Sequence, residues 1–83
     1  MFPMGGEVRS EARRLRFLHG EMTQEELAKR VGVTRQTIVA IERGNYDPSV
    51  GLAIRIARVF GVSVEEVFRL HDEEPKRSSR KSR

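Results

Sequence analysis

The 83-residue chain contains no cysteine, so it can form no disulfide and offers neither a thiolate ligand for zinc nor a cysteine nucleophile. Its two histidines alone cannot build a plausible metal site, and we expect no metal and no other cofactor. Long apolar runs are also lacking, because the only apolar stretch near the amino terminus is MFPM at residues 1–4. That stretch is far too short for a signal peptide or a membrane span, which predicts a cytoplasmic protein without membrane contact.

Size and net charge predict one small domain but give little direct support for nucleic-acid binding. At this length a single core is only marginally stabilising, so dimerisation would help. The net charge of +4 is unevenly distributed, since residues 76–83 carry five positive charges and no acid. Residues 1–71 carry a net charge of only +2, so the arrangement of the charges must decide the question.

Two short helices joined by a tight turn are predicted by the stretch TQEELAKRVGVTRQTIVAIERG, residues 23–44. Thr23 followed by Glu26 fits a capping box, in which the threonine oxygen accepts an N–H and the glutamate reaches back. Leu27, Ala28 and Val31 then recur at helical spacing on one face. The first of the two helices should therefore begin at Thr23.

The turn between the two helices is expected at Gly32, because glycine adopts the left-handed conformation that ends a helix without a Cβ penalty. Val33 can fill the angle between the helices, and Thr34 is again a capping residue. The second helix should run from Arg35 until Gly44 stops it.

This pattern resembles the helix-turn-helix of the lambda-repressor and Cro family, often called the Xre family. The match extends over residues 15–68, and short repressor-like members with an ERG-x-YDPS stretch are the most similar, here ERGNYDPS at residues 42–49. The resemblance implies an all-α, five-helix bundle with the motif formed by helices 2 and 3, and a DNA-binding transcription regulator. It is carried by TQEELA, Ala28, Gly32, Ile38, Ile41 and the ERGNYDPS stretch.

The remaining apolar patterns predict three more helices and no strand. The first helix should run from Glu7 to near Gly20, with its arginines facing solvent. The fourth should begin after Ser49 and end at Gly61, and a capping box of Ser63 and Glu66 should open the fifth. The predicted inward positions are Val8, Ala12, Leu15 and Leu18 on the first helix, Leu52, Ala53, Ile56, Ala57 and Phe60 on the fourth, and Val64, Val67 and Phe68 on the fifth.

These patterns divide the chain into a leader, a domain and a tail. Residues 1–6 have no periodicity and should be a flexible leader, and residues 7–71 should form the helix-turn-helix domain. Residues 72–83 contain no large apolar side chain and should form a disordered, charged tail. Whether this tail follows the DNA backbone or only improves solubility stays open.

Base-reading residues are expected on the second helix of the motif, Arg35–Arg43. With Ile38 and Ile41 defining the inward direction, steps of 100° place Gln36 and Arg43 outward and Val39 and Ala40 beside them. Arg35 stands at the first helical position, which this family inserts into the major groove. Arginine suits guanine O6 and N7 and glutamine suits adenine N6 and N7, so we predict that Arg35 and Gln36 read bases.

Phosphate contacts are expected around the same groove. By resemblance, Gln24 at the start of the first motif helix would hold a phosphate, aided by the helix dipole. Arg43 could reach either the backbone or a base edge, whereas Glu42 should pair with a basic neighbour. Packing of the Tyr46 ring over its own loop is an equally good interpretation of that residue. The other candidates for phosphate contact are Thr34, Thr37, Asn45 and Tyr46.

Two other classes of function stay open. The same fold serves as a protein-binding module in coactivators that resemble multiprotein bridging factor and in antitoxins. An enzyme is the weakest alternative, because Glu25, Glu26 and Glu42 are not accompanied by a histidine or serine constellation. We therefore predict double-stranded DNA as the partner. Apolar Phe17, Ile54 and Leu70, outside the predicted core, suggest a homodimer on a near-palindromic site.

Overall fold

Five helices and two short strands follow one another in the computed structural model, which describes residues 8–70. The predictions for the leader, residues 1–6, and for the tail, residues 72–83, lie outside the described residues. The elements are β1 (Val8–Ser10), α1 (Ala12–Leu18), α2 (Gln24–Val31), α3 (Arg35–Arg43), α4 (Val50–Phe60), α5 (Val64–Val67) and β2 (Phe68–Leu70).

The helices α2 to α5 each begin after a serine or threonine whose hydroxyl oxygen accepts the backbone N–H three residues further on. The capping box of Ser63 and Glu66 is complete in both directions. At α2 the threonine half is present, with the Glu26 N–H 3.0 Å from Thr23 Oγ1, and the Glu26 carboxylate accepts from Arg30. The predicted starts of these four helices are confirmed.

Glycines end α2, α3 and α4 as the sequence predicts. Gly32, Gly44 and Gly61 have φ of 80°, 79° and 70°, in the left-handed region that side chains with a Cβ rarely occupy. Since Gly32 stops α2 and Thr34 caps α3, only three residues join these two helices. The short connection holds α2 and α3 at a fixed angle against one another.

The core contains the apolar faces that the sequence predicts on α2, α3 and α4. The stripe on α4 is buried along its whole length, and Val33 packs against the core from the turn between α2 and α3. The buried apolar residues are Ala12, Leu15, Met22, Leu27, Ala28, Val31, Ile38, Ile41, Leu52, Ala53, Ile56, Ala57, Phe60, Val67 and Phe68.

The all-α prediction is incomplete, because β1 and β2 pair as a two-stranded antiparallel sheet. Val8 stands opposite Leu70 and Ser10 opposite Phe68, so the segment predicted as the start of the first helix is extended. Ser10 Oγ accepts the Ala12 N–H at 3.0 Å, and the helix begins there. Phe68 is buried as predicted, but it lies on a strand rather than on the fifth helix.

The inward face of α1 also differs from the prediction. The sequence predicts Leu18 inside, but it is 66% exposed. It predicts Arg16 in solvent, but Arg16 is buried. The reason is Glu42 on α3, whose buried carboxylate pairs with the Arg16 guanidinium. Ala12 and Leu15 occupy the core as predicted.

Candidate nucleic-acid interface

A concave surface of about 700 Å³ opens between α1, the start of α2 and the outer face of α3. Among the residues predicted to contact DNA, it brings together Gln24, Arg35, Val39 and Arg43. We call it the concave surface. Its lining residues are Arg13, Arg16, Phe17, Thr23, Gln24, Glu25, Arg35, Val39, Glu42 and Arg43.

A buried ion pair forms the floor of the concave surface. Arg16 Nε and Nη2 lie 2.7 Å and 3.0 Å from the two carboxylate oxygens of Glu42, which is the bidentate arrangement of an arginine with a carboxylate. The two side chains are only 10% and 6% exposed. Arg16 Nη1 also donates to the Met22 carbonyl at 2.8 Å. The pair therefore ties α1 to α3, and it confirms that Glu42 pairs with a basic neighbour.

Gln24 joins the same network from the first position of α2. Its Nε2 donates to Glu42 Oε1 at 3.1 Å, so the amide is held by α3 rather than free in solvent. One amide hydrogen and the amide oxygen remain for other partners. The network thus fixes the amino-terminal end of α2 relative to α3.

The rim of the concave surface carries three exposed arginines: Arg13, Arg35 and Arg43. Within residues 8–70, none of them forms an ion pair with an acid. Elsewhere Arg14 and Arg69 pair with Glu11, and Arg30 pairs with Glu26. One further acid, Glu25, lines the concave surface, so its rim carries three arginines against one glutamate and is cationic overall.

The structure places the predicted base readers on the outer side of α3. Arg35 and Gln36 are exposed in its first turn, and Val39 and Ala40 are half-buried beside them. Arg35 and Val39 line the concave surface, while Gln36 and Ala40 lie outside it. The remaining outward residue, Arg43, is exposed in the last turn.

The predicted phosphate contacts around α3 are more dispersed. Thr34 Oγ1 caps the helix by accepting the Thr37 N–H at 3.2 Å, and it lies 3.0 Å from Thr37 Oγ1. Asn45 and Tyr46 are exposed in the loop after α3. None of these four residues lines the concave surface.

Two residues of α1 that are not among the predicted DNA contacts also line this surface. The sequence predicts a solvated charge at Arg13 and a dimer contact at Phe17, yet both line the concave surface together with residues of α2 and α3. Their spacing of four residues places them on one side of a helix, which is the signal that could have indicated the pair. A surface predicted from α2 and α3 alone therefore extends onto α1.

Two other kinds of site find no support within residues 8–70. No three His, Asp or Glu side chains in that segment lie close enough to hold a metal ion. No helix described there has the length and apolar character needed to cross a membrane.

A family model and sequence relatives both identify the chain with helix-turn-helix proteins. The helix-turn-helix family model matches residues 13–67. An uncharacterised HTH-type transcriptional regulator of Methanocaldococcus jannaschii is 51% identical over 67 residues, which cover 81% of this chain and all of that protein. A second, from Archaeoglobus fulgidus, is 54% identical over 67 residues, or 81% of this chain and 94% of its own.

A solved structure agrees with these sequence matches. The hypothetical transcription factor NHTF from Neisseria superposes with a TM-score of 0.59 at 30% identity, over 65% of this chain and 61% of that protein. These similar proteins are named as regulators or transcription factors and not as enzymes, in agreement with the prediction that the chain is not an enzyme. The chain belongs to the helix-turn-helix family of the lambda-repressor and Cro type.

Proposed function

We propose that this protein is a sequence-specific DNA-binding transcription regulator. In this proposal α2 and α3 form the helix-turn-helix, and α3 enters the major groove. The observation that carries the proposal is the concave surface, where Arg13, Arg35 and Arg43 form no ion pair within residues 8–70 and line the approach to α3 from its first turn to its last. Its relatives are named as HTH-type transcriptional regulators, which supports the same conclusion.

Specificity in this proposal comes from the first turn of α3. Arg35 donates its two-pronged guanidinium to guanine O6 and N7, and Gln36 pairs with adenine N6 and N7. Val39 and Ala40 present apolar atoms to a thymine methyl group. Both side chains are exposed in the first turn of α3, which leaves them available to base edges.

Positioning comes from contacts to phosphates on either side of the groove. The amino-terminal end of α2 supplies free N–H groups and the positive end of its dipole, with Gln24 held in place by Glu42. Contacts to phosphate fix the register of the protein but carry no sequence information directly. The other residues assigned to this role are Thr34, Thr37, Arg43, Asn45 and Tyr46.

Two copies are proposed to bind a near-palindromic site. Ile54 and Leu70 are exposed apolar residues away from the concave surface, and the neighbouring Val50 is 76% exposed. A two-fold axis would present the two copies of α3 to successive major-groove faces about 34–36 Å apart. Sedimentation equilibrium should show a dimer, and a protein that stays monomeric with a two-half-site duplex would contradict this part.

Selection from a random duplex library tests the function itself. Pools retained by the protein should converge on a motif with two inverted half-sites, because Arg35 and Gln36 discriminate bases. Duplex binding without an enriched motif would contradict sequence-specific reading. Failure to bind any duplex would favour the protein-binding module of the same fold.

A further inference from the structure

One aromatic ring on the concave surface stands out because it is solvent-exposed and flanked by two guanidinium groups. Phe17 is 54% exposed, and the Cζ atoms of Arg13 and Arg16 lie 5.8 Å and 5.9 Å from its ring centroid. Both distances fall within the range of a cation–π interaction. The ring therefore contacts one guanidinium that is buried and one that is exposed.

The three arginines of α1 differ in whether they form an ion pair. Arg14 pairs with Glu11 at 3.2 Å, and Arg16 pairs with Glu42 at 2.7 Å. Arg13 has no acidic partner in the part of the chain that the structure describes. It is thus the one arginine of α1 whose five N–H donors are available to an anion.

The position of Arg13 decides which anion it can meet. It shares the concave surface with Thr23, Gln24 and Glu25 at the amino-terminal end of α2 and with Arg35 at the start of α3, and Glu25 forms no ion pair with it. When α3 occupies the groove, an element beside the start of α2 faces the sugar-phosphate backbone that borders the groove. Planar guanidinium groups bind phosphate oxygens bidentately.

We propose that Arg13, supported by the Phe17 ring, binds a backbone phosphate of duplex DNA, so that α1 contacts DNA as a third element beside α2 and α3. The inference rests on the proposed function and deepens it. Stacking on Phe17 restricts the arginine side chain before binding, which lowers the entropy lost when the phosphate is bound. It also gives a reason for an exposed phenylalanine on a cationic surface.

Equilibrium binding of Arg13→Gln to two 30-base-pair duplexes, the selected site and its scrambled sequence, tests the phosphate contact. Arg58→Gln is the matched control, because Arg58 is exposed, lacks an acidic partner in residues 8–70 and does not line the concave surface. Arg13→Gln should weaken binding to both duplexes by the same factor, roughly fivefold, and reduce the log-log salt slope by about 0.9. Arg58→Gln should reproduce the wild-type values.

A second variant tests the support by the ring. Phe17→Leu keeps an apolar side chain without a π-system and should weaken binding roughly twofold in the wild-type background. It should have no effect in the Arg13→Gln background, because the two residues act as a unit. The same loss of affinity in both backgrounds would overturn the role of the ring. Thermal melts of each variant would identify any loss of fold.

The outcomes separate the inference from the function on which it rests. An Arg13→Gln protein with the wild-type salt slope on both duplexes would overturn the inference and leave DNA binding intact. A loss confined to the selected duplex would overturn it as well, because it would make Arg13 a base reader. A wild-type protein that binds neither duplex would instead overturn the proposed function.

Discussion

The concave surface and the sheet end of the molecule use arginine in opposite ways. At the sheet end, the single carboxylate of Glu11 accepts from Arg14 through Oε1 and from Arg69 through Oε2, which links α1 to β2. On the concave surface, Arg13, Arg35 and Arg43 have no such partner within residues 8–70. The same side chain is structural where an acid is within reach and available for an external anion where none is.

Both kinds of arginine occur on the concave surface: a paired, buried one lies beneath the exposed ones that have no acidic partner within residues 8–70. Beneath its exposed arginines, Arg16 and Glu42 form a bidentate pair almost removed from solvent, with Gln24 as a third member. Such a pair repays its desolvation only when geometry and additional hydrogen bonds are good, and both conditions are met here. The surface therefore has a neutralised floor, the Arg16–Glu42 pair, beneath a rim of three arginines and Glu25.

The largest expected effect is the loss of stability when the buried Arg16–Glu42 pair is broken. Breaking the Glu11 pairs at the sheet end should cost much less. Glu42→Gln leaves the Arg16 charge buried without an anion and should lower the free energy of unfolding by about 3–5 kcal/mol. Glu11→Gln breaks partly exposed pairs and should lower it by about 1 kcal/mol or less. Urea denaturation measures both free energies of unfolding. Similar losses in the two variants would show that burial does not make the Arg16–Glu42 pair more important than the Glu11 pairs.

A smaller loss of stability is expected when either of two helix caps is removed. Thr34→Ala and Ser63→Ala each remove a hydroxyl that accepts a backbone N–H, and each should cost about 1 kcal/mol of stability. Only Thr34→Ala should also weaken DNA binding, because Thr34 caps the helix that carries the proposed base readers. Equal binding by the two variants would remove Thr34 from the proposed interface.

The smallest expected effect concerns Val39 and Ala40, the half-buried apolar residues of α3. Replacing the contacted thymine by uracil in the selected site removes one methyl group and should cost about 0.8 kcal/mol or less. Uracil scanning across both half-sites, read by fluorescence anisotropy, locates the position. A site at which no thymine is sensitive would assign these residues to packing alone.

Most of the fold could be predicted from the sequence because its signals are local. A capping hydroxyl, a helix-ending glycine and an apolar stripe all act within a few residues, as Thr34, Gly44 and the α4 stripe illustrate. The pairing of Val8 with Leu70 joins segments that are sixty-two positions apart, and no window around Val8 contains its partner. Strand formation there depends on a tertiary contact and not on local propensity.

The same distinction explains what was predicted of the candidate site. The helical period places Gln36 and Arg43 outward on α3 and Arg35 at the flank of that face, and the structure has all three exposed. The period could not show that Arg16 would be buried, because its partner Glu42 lies on another helix. Nor could it show that Arg13 and Phe17 share a surface with α3, since helix packing decides that.

Base reading by α3 is tested by the ratio of affinities for the selected and the scrambled duplex, measured by fluorescence anisotropy at one salt concentration. Arg35→Ala should reduce this ratio by the equivalent of about 1–3 kcal/mol and relax the choice at one base pair. Arg58→Ala should leave the ratio at the wild-type value. An Arg35→Ala protein that loses affinity equally for both duplexes would contradict base reading from the start of α3.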